Sequence, residues 1–223
     1  MENQAVKRLH PLYVLSVFYV AAIYLFPVLW FTLNGVTEGR EASDSLSPSV
    51  ILQLLTLLIP GVMGLINLAV VIIFRNRITR EQLLHCAVII KYGLIPFFLV
   101  GGCCIALTWL MTFSPVVIMI FIGPAVAAFL SALGYISMLG SAPFSVAYLI
   151  RSRREHVHSP QLLITGGIMQ FFFALDTISL MFLALKEKKC VKPTIILGVL
   201  LAVGYRLILA MIVFLIVKAI VNA

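Results

Sequence analysis

The chain has 223 residues, 62% of them hydrophobic and 11% charged, with a mean hydropathy of +1.14. Soluble domains are about half apolar and about a quarter charged, so composition excludes a water-soluble globule as the reading. The formal charge of +8 and pI of about 9.6 fit the Lys/Arg excess of cytoplasmic loops that meet anionic lipid, and no polar fold is present to carry a nucleic-acid patch.

About 20 apolar residues in a helix cross the roughly 30 Å hydrocarbon core. The first such run, residues 11–33, follows Lys7 and Arg8. It is too long for a signal-peptide core and reads as a retained first span. A polar, net acidic loop follows, with Glu38, Arg40, Glu41 and Asp44. Span 2 covers about 49–74, and Pro60-Gly61 predicts a kink near its middle. Arg75, Arg77 and Arg80 make a basic turn.

The next apolar run is interrupted by Lys91. It divides into an amphipathic interfacial helix over 79–91, with Lys91 snorkelling, and span 3 over 92–113. Gly101, Gly102 and Ala106 give that span a small face. After the Ser114-Pro115 turn, span 4 covers 116–139. Residues 140–150, broken by Pro143, read as a second short helix, interfacial or partly re-entrant, leading to Arg151, Arg153 and Arg154. Spans 5 and 6 cover 161–185 and 193–217, joined by the basic turn Lys186–Lys192. The fold class expected is an all-α polytopic bundle in one domain: six spans and two short interfacial helices.

Orientation contains a conflict. With a cytoplasmic N-terminus, six spans put Lys7, Arg8, Arg75, Arg77, Arg80, Lys91, Arg151, Arg153, Arg154 and Lys218 inside. Arg40, Lys186, Lys188, Lys189 and Lys192 fall outside, so four lysines of one turn oppose the positive-inside bias. Splitting 115–150 into two spans moves that turn inside but sends Arg151, Arg153, Arg154 and Lys218 out. Length favours six. Cys190 in the turn is a native reporter of its side.

Two ionisable residues sit deep in the last two spans. Asp176 is about 14 Å and Arg206 about 20 Å from the shared turn at 1.5 Å per residue. The spans are consecutive and antiparallel, hence neighbours. An isolated charge at a span centre costs about 2.5–3.5 kcal/mol on the insertion scale, so the expectation is an Asp176–Arg206 pair. It either fixes register or marks a polar path. Gln170, Thr177 and Ser179 in span 5 and Asn67 in span 2 are candidates to line the same interior.

Other constellations carry less. His156 and His158 with Glu155 lack a further ligand in a basic loop, so no metal is expected; His85 and Cys86 read as packing. Cys86, Cys103, Cys104 and Cys190 are no disulfide framework. No HExxH, GxSxG or Walker A motif occurs, and Asp176 is the lone Asp within a span, so no aspartyl dyad can form. No catalytic residue or cofactor is expected.

Ser141-Ala142-Pro143 leading to Ile150-Arg151, the run Gln170-Phe171-Phe172-Phe173-Ala174-Leu175-Asp176-Thr177-Ile178-Ser179, and Lys186-Glu187-Lys188 carry a resemblance. Over about 123–189 the chain resembles a family of uncharacterised multi-pass membrane proteins of Gram-positive bacteria, a domain of unknown function. The resemblance implies a bacterial cytoplasmic-membrane location and transfers no catalytic residue. The function expected is a non-enzymatic membrane component that accompanies a membrane protein partner. The first alternative is a small transporter or channel with Asp176 and Arg206 at its midplane, and the second is an intramembrane enzyme.

Overall fold

The computed structural model describes residues 11–37, 48–113, 116–204 and 206. The acidic loop around Glu38–Asp44, the turn at 114–115, the basic residues before Pro11 and the chain after Arg206 lie outside them. The fold is all-helical, with no strand among the described residues. Its helices are α1 (Pro11–Thr37), α2 (Pro48–Leu57), α3 (Ile59–Phe74), α4 (Arg80–Met111), α5 (Val117–Arg154), α6 (Pro160–Met169) and α7 (Leu175–Lys186). A further apolar helix covers Val191–Gly204. Four stretches are long and apolar enough to cross a membrane: Pro11–Leu33, Leu54–Phe74, Arg80–Met111 and Ile118–Arg154. The chain divides into two compact units, Met1–Leu180 and Met181–Ala223.

Within the first unit the long helices alternate in direction. Tyr13 meets His85, and Tyr24 meets Gly93 and Phe97, so α1 and α4 run parallel. Asn67 meets Gly140, and Arg75 meets Arg151, so α3 and α5 run parallel to each other. Arg151 also reaches Ile78, just before α4 begins, while Gly123 lies against Thr108 and Thr112 near the end of α4. Thus α4 and α5 are antiparallel. The start of α1, the end of α3, the start of α4 and the end of α5 share one end of the unit.

Both predicted interfacial helices are corrected. Residues 79–91 form the first half of α4 and 140–150 the second half of α5, each continuous with its neighbour. They are core: Leu84, Cys86, Ala87, Ile90, Phe144 and Tyr148 are fully buried. Thr79 starts α4 with a capping box, accepting from the Gln82 backbone at 3.3 Å while its own N–H donates to Gln82 Oε1 at 2.9 Å. Nothing after that breaks the helix, because Lys91 has a partner inside the protein.

The kink expected at Pro60-Gly61 is a break two residues earlier. α2 ends at Leu57, and Pro60 sits in the first turn of α3, where its missing N–H costs nothing. Pro96 is accommodated differently. The Tyr24 hydroxyl donates to Gly93 O at 2.9 Å and accepts from Phe97 N at 3.1 Å. It is inserted into the i→i−4 ladder of α4, a recognised cause of a helix bend.

Candidate functional site: a buried lysine–aspartate pair at a helical hairpin

The stretch 161–185, expected as one span, reverses direction. In a continuous helix Gly166 and Ser179 would stand about 20 Å apart. Here a Cβ on Gly166 would lie 3.6 Å from Ser179 Oγ. Gln170 Nε2 donates to Ser179 Oγ at 3.4 Å. The neighbours agree: Phe173 packs edge-on to Phe98, whereas Asp176 meets Lys91, so the chain descends α4 after the turn. α6 and the first part of α7 are therefore an antiparallel hairpin.

Local chemistry favours that turn. Gly166 and Gly167 weaken the helix before it. A helix starting at Leu175 puts Asp176 in the first turn, where a carboxylate is stabilised by the helix dipole. The turn largely satisfies its own backbone. The N–H groups of Gln170, Phe171 and Phe172 donate to Gly167, Ile168 and Met169, and Asp176 N donates to Phe172 O at 3.2 Å. Ala174 takes the left-handed conformation, φ 64°, which costs a residue with a Cβ about 1–2 kcal/mol.

Asp176 Oδ2 accepts from Lys91 Nζ in a direct ion pair. Its Oδ1 accepts from Thr177 N at 2.6 Å and Thr177 Oγ1 at 3.1 Å. Lys91 is 1% exposed and Asp176 3%, so neither charge is solvated and each depends on the other. Removing one partner of such a pair costs about 3–5 kcal/mol because the other is left bare. Gln170 closes the group. Its amide also makes a long contact to Asp176 O at 3.5 Å, and its buried Oε1 has no hydrogen-bond partner among the described residues.

The family DUF6652, described as a family of unknown function, matches residues 12–189, spanning both members of this pair and the whole hairpin. The chain belongs to DUF6652. No curated protein and no solved structure matches it.

In this DUF6652 protein the predicted site residues divide. Asp176, Gln170, Thr177 and Ser179 come together, and all four are buried. Asn67 is elsewhere, at the crossing of α3 and α5, where Nδ2 donates to Gly140 O at 3.0 Å. That crossing is backbone on backbone: a Cβ on Gly64 would meet Gly140 Cα at 2.7 Å. Tyr19 of α1 joins it by donating to Ser137 O at 2.6 Å. Arg206 belongs to the second unit and is exposed beside Val199, Ala202 and Val203. The cation that holds Asp176 is Lys91, in the role the sequence reading gave to Arg206. The signal for Lys91 was its depth, about 16 Å into an unbroken apolar helix, too deep for a residue assigned to the interface.

A second polar group occupies the end where α3, α4 and α5 meet. Arg151 donates to Arg75 O at 3.2 Å and to Ile78 O, and Arg151 Nε reaches Glu155 at 3.1 Å. Arg80 meets the same carboxylate at 3.3 Å. These partners are partly exposed, so each ion pair is worth about 0–1 kcal/mol. Their consequence is positional: the turn after α3 is tied to the end of α5.

Proposed function

We propose that this protein is a multi-pass integral membrane component of the bacterial cytoplasmic membrane, non-enzymatic and working alongside a partner protein. Its Lys91–Asp176 pair fastens a re-entrant hairpin to α4. The observation that carries this reading is the completeness of the pair: both charges are out of solvent and answer each other at the turn between α6 and α7. Non-helical backbone at membrane depth needs its polar groups satisfied within the protein. Residues 171–175 of the turn are exposed, but Gln170 and Asp176 at its two ends are buried, and the ion pair anchors the second end to α4.

A re-entrant hairpin also removes the charge conflict. Within the first unit, residues 175–180 run back alongside α6 toward the end where it began. In the topology we propose, the helices containing 11–33, 54–74, 80–111 and 118–154 cross, α6–α7 enters and returns, and one last helix crosses. Lys7, Arg8, Arg75, Arg77, Arg80, Arg151, Arg153, Arg154, Lys186, Lys188, Lys189 and Lys192 are then cytoplasmic. Only Arg40 and Lys218 fall outside, with Lys91 and Arg206 in the membrane. Twelve against two is a stronger positive-inside bias than ten against five for six spans. Five crossings therefore replace six in this reading.

The test is Cys190. It is partly buried, and burial raises its thiol above the ordinary value, opposed by nearby Lys189, so labelling is run at mildly alkaline pH. An impermeant thiol reagent should leave Cys190 unmodified in intact cells and modify it after permeabilisation. Modification in intact cells restores six crossings.

One observation favours a second reading, a small transporter: the buried Gln170 Oε1, which has no partner among the described residues, stands at the C-terminal end of the short helix α6, and such half-helix C-terminal ends are used to hold coupling ions. The double substitution Lys91→Met with Asp176→Leu separates the two. The component reading expects a folded protein that still supports its partner. The transporter reading expects loss of any cation- or proton-dependent flux from a protein that remains folded.

A further inference from the structure

The turn between α5 and α6 forms an open cleft of about 820 Å³ in the first unit, lined by Arg153, Arg154, His156 and Ser159 together with the apolar Ile150 and Val157. Its shape is fixed by the end of α5. His156 takes the left-handed conformation, φ 52°. Val157 N donates to Ser152 O at 3.1 Å, and His156 N to Arg153 O at 3.2 Å. This is a Schellman ending, with histidine where glycine is usual. Beneath the turn, Tyr148 Oη and His158 Nε2 are 3.4 Å apart.

The charge balance of the cleft is uneven. Glu155, the acid on this turn, is turned to Arg80 and Arg151. Arg153 and Arg154 are exposed, and among the described residues neither side chain has an ion pair. Arg75 and Arg77, also exposed, are brought to the same end by the bonds from Arg151 to Arg75 O and Ile78 O. Ile150 and Val157 are 52% and 41% exposed. The cleft thus offers two guanidiniums beside an apolar lip, at the end where the apolar helices α3, α4 and α5 finish or begin.

We propose that this cleft binds the headgroup of an anionic phospholipid of the cytoplasmic leaflet. The phosphate sits between Arg153 and Arg154, and the first acyl carbons rest on Ile150 and Val157. Guanidinium matches phosphate as a fork of N–H donors. The apolar lip suits a lipid better than a free phosphate, which has nothing to lay against it. This inference rests on the membrane reading above and adds to it a specific place and lipid class.

The full chain is reconstituted in nanodiscs of phosphatidylcholine mixed with phosphatidylglycerol, and spin-labelled versions of each lipid report the fraction held at the protein. The wild type should hold phosphatidylglycerol in preference to phosphatidylcholine. Arg153→Gln with Arg154→Gln should weaken that preference about fivefold for each arginine removed, the effect expected of about one surface Lys/Arg near anionic lipid. Arg153→Lys with Arg154→Lys should retain most of it, which guards against misfolding as the cause. Arg75→Gln with Arg77→Gln should weaken it less than the 153/154 pair. An equal loss in both pairs, or no loss in the first, overturns the cleft. Full displacement by inorganic phosphate at equal concentration overturns the lipid as its occupant. Failure of the chain to enter nanodiscs at all contradicts the membrane reading itself, a separate result.

Discussion

α4 and the α6–α7 hairpin invert what their sequences suggest. α4 carries a lysine in its interior and runs unbroken for 32 residues. The stretch from Pro160 to Lys186 carries no proline after its first residue and no charge before Asp176, yet it breaks and turns back. The two facts have one cause. Lys91 can stay inside a helix because Asp176 is delivered to it, and Asp176 is delivered because the chain reverses at residues 170–174. Continuity in an apolar segment is therefore decided by where its few polar groups find partners. Apolar length alone does not decide it.

The largest loss is expected when Lys91 loses its partner. Asp176→Ala should lower stability in mild detergent by about 3–5 kcal/mol, the loss expected when a buried charge is left alone, read as an earlier unfolding midpoint in denaturant. Replacing both charges by apolar residues of similar size should restore most of that, since such exchanges are often neutral or better. Gly140→Ala comes next. The new Cβ would meet Tyr19 Oη at 2.6 Å and Gly64 Cα at 2.9 Å, and overpacking of this kind costs about 1–3 kcal/mol. Thermal unfolding should register it, and Gly101→Ala, where a Cβ meets open space, should not.

Tyr24→Phe is smaller. It removes the hydroxyl from the α4 ladder at Pro96 and should cost about 1 kcal/mol, the net worth of a typical hydrogen bond. The smallest effect is a gain. Ala174→Gly relieves the left-handed strain at the hairpin turn and should stabilise by about 0.5–1 kcal/mol after the entropy of glycine is charged against it. If Ala174→Gly destabilises instead, the turn is held by something other than its backbone geometry.

Legibility in the sequence followed the physics of each feature. The long apolar helices could be read directly, because length and hydropathy are local. The polar cluster of Gln170, Asp176, Thr177 and Ser179 was visible as polar residues in an apolar run. The identity of the cation was not. Depth counted along a straight span put Arg206 opposite Asp176, but the chain is not straight there, and no proline stands at the break. The partner of Asp176 at the break is Lys91, 85 residues earlier, a contact no local window contains. The stretches 79–91 and 140–150 looked interfacial because Lys91 and Pro143 interrupt their apolar runs, whereas both residues lie inside continuous helices, with Lys91, Ser141 and Ser145 buried.

A double-mutant cycle on Lys91→Met and Asp176→Leu, read as unfolding free energy in one detergent, decides whether the two buried charges hold each other. A mutual pair predicts that each single change costs several kcal/mol while the double change costs less than either, a coupling well above the 0.3–0.5 kcal/mol of independent sites. Two single effects that simply add would show that the ammonium and the carboxylate do not hold each other, and the explanation of the hairpin would go with them.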